Sequence, residues 1–138
     1  GDGNDTIVAG SGTDTIDAGA GVDQINGGGG ADTFVFALGD SSPAAADSVT
    51  GWSSAAHLYI AGGAITAGNY TELTHADLAA ATTAANGLIA AGTDDVVVVQ
   101  VGSDLYVFAD SGANDGTADD IIKLVGKTLA DISDTNFV

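Results

Sequence analysis

The sequence predicts an all-β-dominated fold: a stack of short parallel strands over residues 1–36, then a β-rich capping region with one α-helix over residues 37–138. Three observations carry this. The first 36 residues divide into four units of nine, GDGNDTIVA, GSGTDTIDA, GAGVDQING and GGGADTFVF. Residues 74–91, THADLAAATTAANGLIAA, are rich in alanine, with Leu78, Ala81, Ala85 and Leu88 at helical spacing. The runs VVVVQV, DLYVFAD and IIKLV are dominated by strand-favouring residues, and Gly102-Ser103 separates the first two as a hairpin turn.

Each repeat obeys Gly-x-Gly-x-Asp-x-apolar-x-x. The glycine pairs are Gly1 and Gly3, Gly10 and Gly12, Gly19 and Gly21, and Gly28 and Gly30; Asp5, Asp14, Asp23 and Asp32 follow in phase, and then Ile7, Ile16, Ile25 and Phe34. Glycine admits backbone conformations closed to other residues and lets carbonyl groups crowd together with no Cβ between them. The three residues after each Asp favour an extended strand whose middle side chain points to one face. Two turn-and-strand units complete one coil, so alternate units stack. Asp5 then sits over Asp23, and Asp14 over Asp32. A flexible acidic linker has no reason to place an apolar residue at every ninth position.

The chain carries 19 acidic residues against two lysines, Lys123 and Lys127, for a formal net charge of −17. Such a field repels nucleic acid and anionic membrane surfaces and attracts cations. Yet mean hydropathy is +0.27 and 45% of residues are apolar, unlike a permanently disordered acidic tail. The two properties are reconciled if a divalent cation neutralises the acids. The donors offered by the repeats, carboxylates and peptide carbonyls, suit calcium, a hard ion that takes about six to eight oxygens. The candidate ligands are the carboxylates of Asp5, Asp14, Asp23 and Asp32 with the carbonyls of Gly1, Gly3, Gly10, Gly12, Gly19, Gly21, Gly28 and Gly30. Two interior sites are expected, one in each stack of turns. Without cysteine, neither disulfides nor thiolate zinc can contribute.

These residues resemble the RTX (repeats-in-toxin) calcium-binding nonapeptide family, whose consensus is Gly-Gly-x-Gly-x-Asp-x-apolar-x. The resemblance covers residues 1–36 and departs from the consensus before the glycine pairs, where Ala9 and Ala18 precede Gly27. It implies a right-handed parallel β-roll with Ca2+ between turns. It also implies a protein that leaves a Gram-negative bacterium unfolded through a type I secretion apparatus and is then extracellular or held at the cell surface. The closing LADISDTNFV, acidic and then bulky, resembles the C-terminal export signal of type I substrates. Because Gly1 already lies within a repeat, the sequence reads as the C-terminal piece of a longer protein.

Between the repeats and the helix, residues 37–50 read as a small-residue exit loop with Pro43. Trp52, Leu58, Tyr59, Ile60 and Ile65 are expected to cap the stack, with Trp52 in the core rather than in a ligand site. Thr74 or Asp77 can cap the helix, and Gly92 closes it. That segment carries no basic residue, which argues against a membrane-surface helix, and no stretch is long and apolar enough to span a bilayer. Residues 110–120 are oxygen-rich, and Asp110, Asn114, Asp115 and Asp119 are secondary calcium candidates. The match to an EF-hand loop is loose, and a solvated acidic turn is the alternative.

His57 and His75 form no HExxH motif, and Ser53 and Ser54 have no GxSxG context, so catalysis is not expected of these residues. Three functional readings stay open. The first is a module that folds on extracellular calcium and supports export of a larger protein. The second is an assembling part of a surface-layer protein or adhesin, suggested by a similar order of elements in RTX surface-layer proteins. The third is the end of a secreted RTX enzyme resembling serralysin-like proteases.

Overall fold

A computed structural model describes residues 1–61, 66, 68–112 and 115–138. Each repeat forms one short strand: β1 (Thr6–Val8), β2 (Thr15–Asp17), β3 (Gln24–Asn26) and β4 (Thr33–Phe36). β1 pairs in parallel with β3, matching Ile7 to Ile25, and β2 with β4, matching Ile16 to Phe34. Alternate repeats therefore stack into two facing sheets. Their middle side chains turn inward, and Ile16, Ile25 and Phe34 are buried.

The stacking does not stop at the fourth repeat. The segment read as an exit loop contains β5 (Asp47–Thr50), which pairs in parallel with β3, and β6 (His57–Ile60) pairs in parallel with β4. Val49 and Leu58 enter the core as Ile25 and Phe34 do. The sequence Asp-Ser-Val-Thr has the Asp-x-apolar form of the repeats. A longer turn before it breaks the period of nine and hides it. Ile65 lies outside the described residues.

One sheet then continues into the second half of the chain. β7 (Tyr70–His75), β8 (Val96–Val101), β9 (Asp104–Ala109) and β10 (Asp120–Leu124) complete a seven-stranded sheet in the order β1-β3-β5-β10-β9-β8-β7, facing the three-stranded β2-β4-β6. β8 and β9 form the hairpin expected around Gly102-Ser103. The helix α1 (Leu78–Ala90) is shorter than the 74–91 pattern because Thr74 and His75 are drawn into β7, in register with Gln100 and Val101 of β8. Asp77 caps it by accepting from the amide of Ala80 at 2.8 Å.

β8 is buried on both faces, which explains its unbroken valines. Val96 and Val98 join the core between the two sheets with Phe34, Leu58, Leu105 and Ile122. Val97 and Val99 meet Ala81, Ala85 and Ile89 of α1. Trp52 lies in the first core, stacked on Phe34 with ring centroids 5.8 Å apart, and its indole N–H donates to the Asp131 carbonyl. The last residues cover the outer edge of β6. Val138 donates to the Leu58 carbonyl at 3.1 Å, and the Asn136 side chain donates to the carbonyls of Ser54 and Ala56. The described residues are strand-rich with one α-helix, and no helix among them is long and apolar enough to cross a membrane.

Candidate metal centre

A backbone ladder fixes the turns. The residue after each aspartate donates its N–H to the carbonyl of the aspartate one tier earlier: Gln24 to Asp5, Thr33 to Asp14 and Ser48 to Asp23, at 2.8–2.9 Å. His57 does the same to Asp32 at 2.7 Å. This register puts the aspartates in columns. Asp5, Asp23 and Asp47 form one, and Asp14 and Asp32 form the other, with Ala56 at the third position.

The side chains repeat a single arrangement. Oδ1 of Asp23 accepts the N–H of Asp5 at 2.7 Å, Oδ1 of Asp32 accepts that of Asp14 at 3.1 Å, and Oδ1 of Asp47 accepts that of Asp23 at 2.6 Å. Asp23, Asp32 and Asp47 are each 0% exposed. The second oxygen of each of these carboxylates, and of the half-buried Asp14, is buried and has no hydrogen-bond partner among the described residues. Asp5, in the outermost tier, is exposed. A buried carboxylate oxygen with no donor is costly unless a positive charge meets it.

The glycines bring the turns close enough for one ion to touch both. A Cβ on Gly30, whose φ is +137°, would overlap the carbonyl oxygen of Gly12, and a Cβ on Gly28 would overlap that of Gly10. On the other column, a Cβ on Gly19 or Gly21 would likewise overlap the carbonyl oxygen of Gly1 or Gly3. Carbonyls and carboxylates thus occupy the same gap. Among the described residues no three His, Asp or Glu side chains converge on one point. A cation between stacked turns would therefore take one or two carboxylates and draw its remaining oxygens from the backbone, a donor set that fits a calcium-like ion.

The lysines do not fill this role, and the N-terminal ammonium lies 3.7 Å from the exposed Asp5 carboxylate. The chain has two lysines; the Lys123 ammonium lies 2.9 Å from the Asp104 carboxylate, and Lys127 acts on Asp131. The amide of Gly126, and then Lys123, hold the Asp104 carboxyl below its usual range. Burial pushes the Asp47 carboxyl up to about 6. The neighbouring Asp23 and Asp40 carboxylates add to this, while the Asp23 amide and Ser41 oppose it.

Residues 110–120 are arranged differently. Asp115 accepts from the amide and hydroxyl of Thr117, Asp119 accepts from the amide of Gly112, and the Asp110 amide donates to the Asp95 carbonyl. Asn114 lies outside the described residues. The buried acid of this region, Asp120, was not singled out by sequence. It accepts from Gly39, Ser41 and the Ser111 hydroxyl, and burial raises its pKa. Asp120 thereby ties β10 to the turn that leads into β5. His57 and His75 lie on β6 and β7, and the Ser53 hydroxyl donates to the Gly30 carbonyl.

Sequence comparison agrees with this geometry for the repeats. Residues 1–34 match the family model of the RTX calcium-binding nonapeptide repeat, in four copies. No curated protein matches the chain.

Proposed function

We propose that the chain, whose residues 1–34 are RTX repeats, is a calcium-dependent folding module: a right-handed parallel β-roll completed by the strands and helix that follow it. The observation that carries this reading is the two columns of buried carboxylates, in which Asp23 and Asp32 each have one oxygen bonded to the turn before and the other without a donor among the described residues. A bound Ca2+ supplies the charge that these oxygens lack. The chain's own residues do the rest. Asp14 and Asp32 would hold one ion with the carbonyls of Gly10 and Gly12, and Asp5 and Asp23 would hold another with those of Gly1 and Gly3. Because the pairs form only when the turns stack, binding free energy becomes folding free energy.

Conditional folding suits export. Extracellular calcium modules bind at about 10⁻⁴ to 10⁻³ M, so such sites stay empty in a cytosol and fill outside. On this reading the chain passes a type I secretion apparatus unfolded and folds in the medium or at the cell surface. The closing residues pack against β6 once folded, so an export signal there would be read before packing. The role is one of binding and folding, with no catalytic step assigned to these residues.

Circular dichroism of the 138-residue chain, titrated with calcium from excess chelator, tests the reading. Strand signal that rises cooperatively with calcium, and not with magnesium at the same concentration, is the expected result. Full strand content in chelator, unchanged by calcium, would refute it.

A further inference from the structure

The roll reading assigns ions to the repeats. We infer that the chain holds a further divalent-cation site outside them, in the third tier of one column, with Asp47 as its defining ligand. The inference rests on that reading and extends it to a residue beyond the matched segment.

Asp47 stands to Asp23 as Asp23 stands to Asp5. Its Oδ1 accepts the Asp23 N–H at 2.6 Å, where Asp23 accepts the Asp5 N–H at 2.7 Å. The following residue donates to the earlier aspartate's carbonyl in both tiers, Ser48 to Asp23 and Gln24 to Asp5, each at 2.9 Å. The strands match in register, with Ile25 opposite Val49 as Ile7 is opposite Ile25. Asp47 and Asp23 are both fully buried, and the Oδ2 atom of each has no hydrogen-bond partner among the described residues. A carboxylate oxygen has lone pairs enough to serve an ion on either side, so Asp23 can be shared by two tiers.

The opposite column supplies an internal comparison. There Ala56 occupies the place of Asp47, because His57 donates to the Asp32 carbonyl as Ser48 does to that of Asp23. Ala56 offers no carboxylate. The third tier thus has one site, on the Asp47 side, giving three ions in all rather than two or four.

The turn before β5 is built to hold Asp47 in place. The Asp47 amide donates to the Ser41 hydroxyl at 2.7 Å, that hydroxyl donates to the Ile121 carbonyl at 2.7 Å, and Asp120 accepts the amides of Gly39 and Ser41. These bonds tie the third-tier turn to β10, so an ion at Asp47 would link the repeats to the second half of the sheet.

Native mass spectrometry in saturating calcium counts the ions on the full chain and on Asp47→Asn. Asparagine keeps the acceptor for the Asp23 amide and places a nitrogen where the unbonded oxygen stands. The expected result is three ions on the unmodified chain and two on the variant, with Asp32→Asn also losing one. Two ions on both the chain and Asp47→Asn would overturn the inference and leave the roll reading intact, whereas no bound calcium on either would sink both. Three ions on both would also overturn it. If Asp47→Asn fails to fold, the unmodified chain decides. Crystals soaked in terbium should show anomalous density between the Asp23 and Asp47 carboxylates, and its absence while the Asp32 site is filled would overturn the assignment.

Discussion

The carboxylate of Asp32 accepts the backbone N–H of Asp14, 18 residues earlier, at 3.1 Å, while its second oxygen is buried with no donor among the described residues. The first oxygen builds the stack, and the second is a cost until an ion meets it. Asp32→Asn separates the two roles, since the amide oxygen can keep the bond to Asp14. In chelator the variant should be as stable as the unmodified chain or more so, because a buried unpaired charge is gone. In calcium it should require about tenfold more ion for half-folding, a loss of about 1.4 kcal/mol or more. Calcium titrations followed by circular dichroism check both. Equal losses in chelator and in calcium would mean that Asp32 is a packing residue only.

Gly30 and Gly10 should differ sharply on substitution. A Cβ on Gly30 would overlap the Gly12 carbonyl at a positive φ, whereas a Cβ on Gly10 meets nothing within 4 Å. Gly30→Ala should cost about 3 kcal/mol or more or prevent folding, and Gly10→Ala should stay within about 1 kcal/mol. Thermal melts in saturating calcium compare them. Equal melting temperatures would show that the turns do not approach as closely as the backbone indicates.

The four repeats were legible because each obeys one period, so Asp5 and Asp23 could be paired by counting. Asp47 obeys the same local chemistry but follows Asp32 after a turn of different length, and counting by nine passes over it. Its place is set by contacts that a linear pattern does not carry, above all the Ser41 hydroxyl and the Asp120 carboxylate of β10. The sequence allows α1 to begin after either Thr74 or Asp77, and a contact remote in sequence decides between them. Tyr70-Thr-Glu-Leu-Thr-His75 pairs in parallel with the valine strand β8, which leaves Asp77 as the cap. The hairpin of β8 and β9 needed only a glycine-led turn between two strand-like runs, and it was readable.

Trp52 should report folding directly. It is the chain's single tryptophan, 3% exposed, stacked on Phe34 of the fourth repeat and bonded to the Asp131 carbonyl near the close of the sequence. Its burial requires the roll and the final residues together. Calcium added to the chelated chain should shift its emission to shorter wavelength, over the same concentrations that raise the strand signal. Two separate transitions would mean that the roll forms before the later residues close over it.

The acid response should reverse with calcium. The Asp47 carboxyl, raised by burial to about 6 from 3.8, favours the neutral form in the folded chain. A carboxyl raised on folding contributes stability that is fully present below about 3.8 and lost as pH rises through about 6. In chelator, acidification from pH 7 to pH 4.5 should therefore stabilise whatever folded population exists, by about 2 kcal/mol from this group. With saturating calcium, protons compete with the ion for the same oxygen, and stability should fall over that interval. Asp47→Asn, permanently neutral there, should flatten both responses. Urea melts of the two chains across this pH range, with and without calcium, test the sign. The same slope in chelator and in calcium would show that the Asp47 oxygen takes a proton without ever taking a metal.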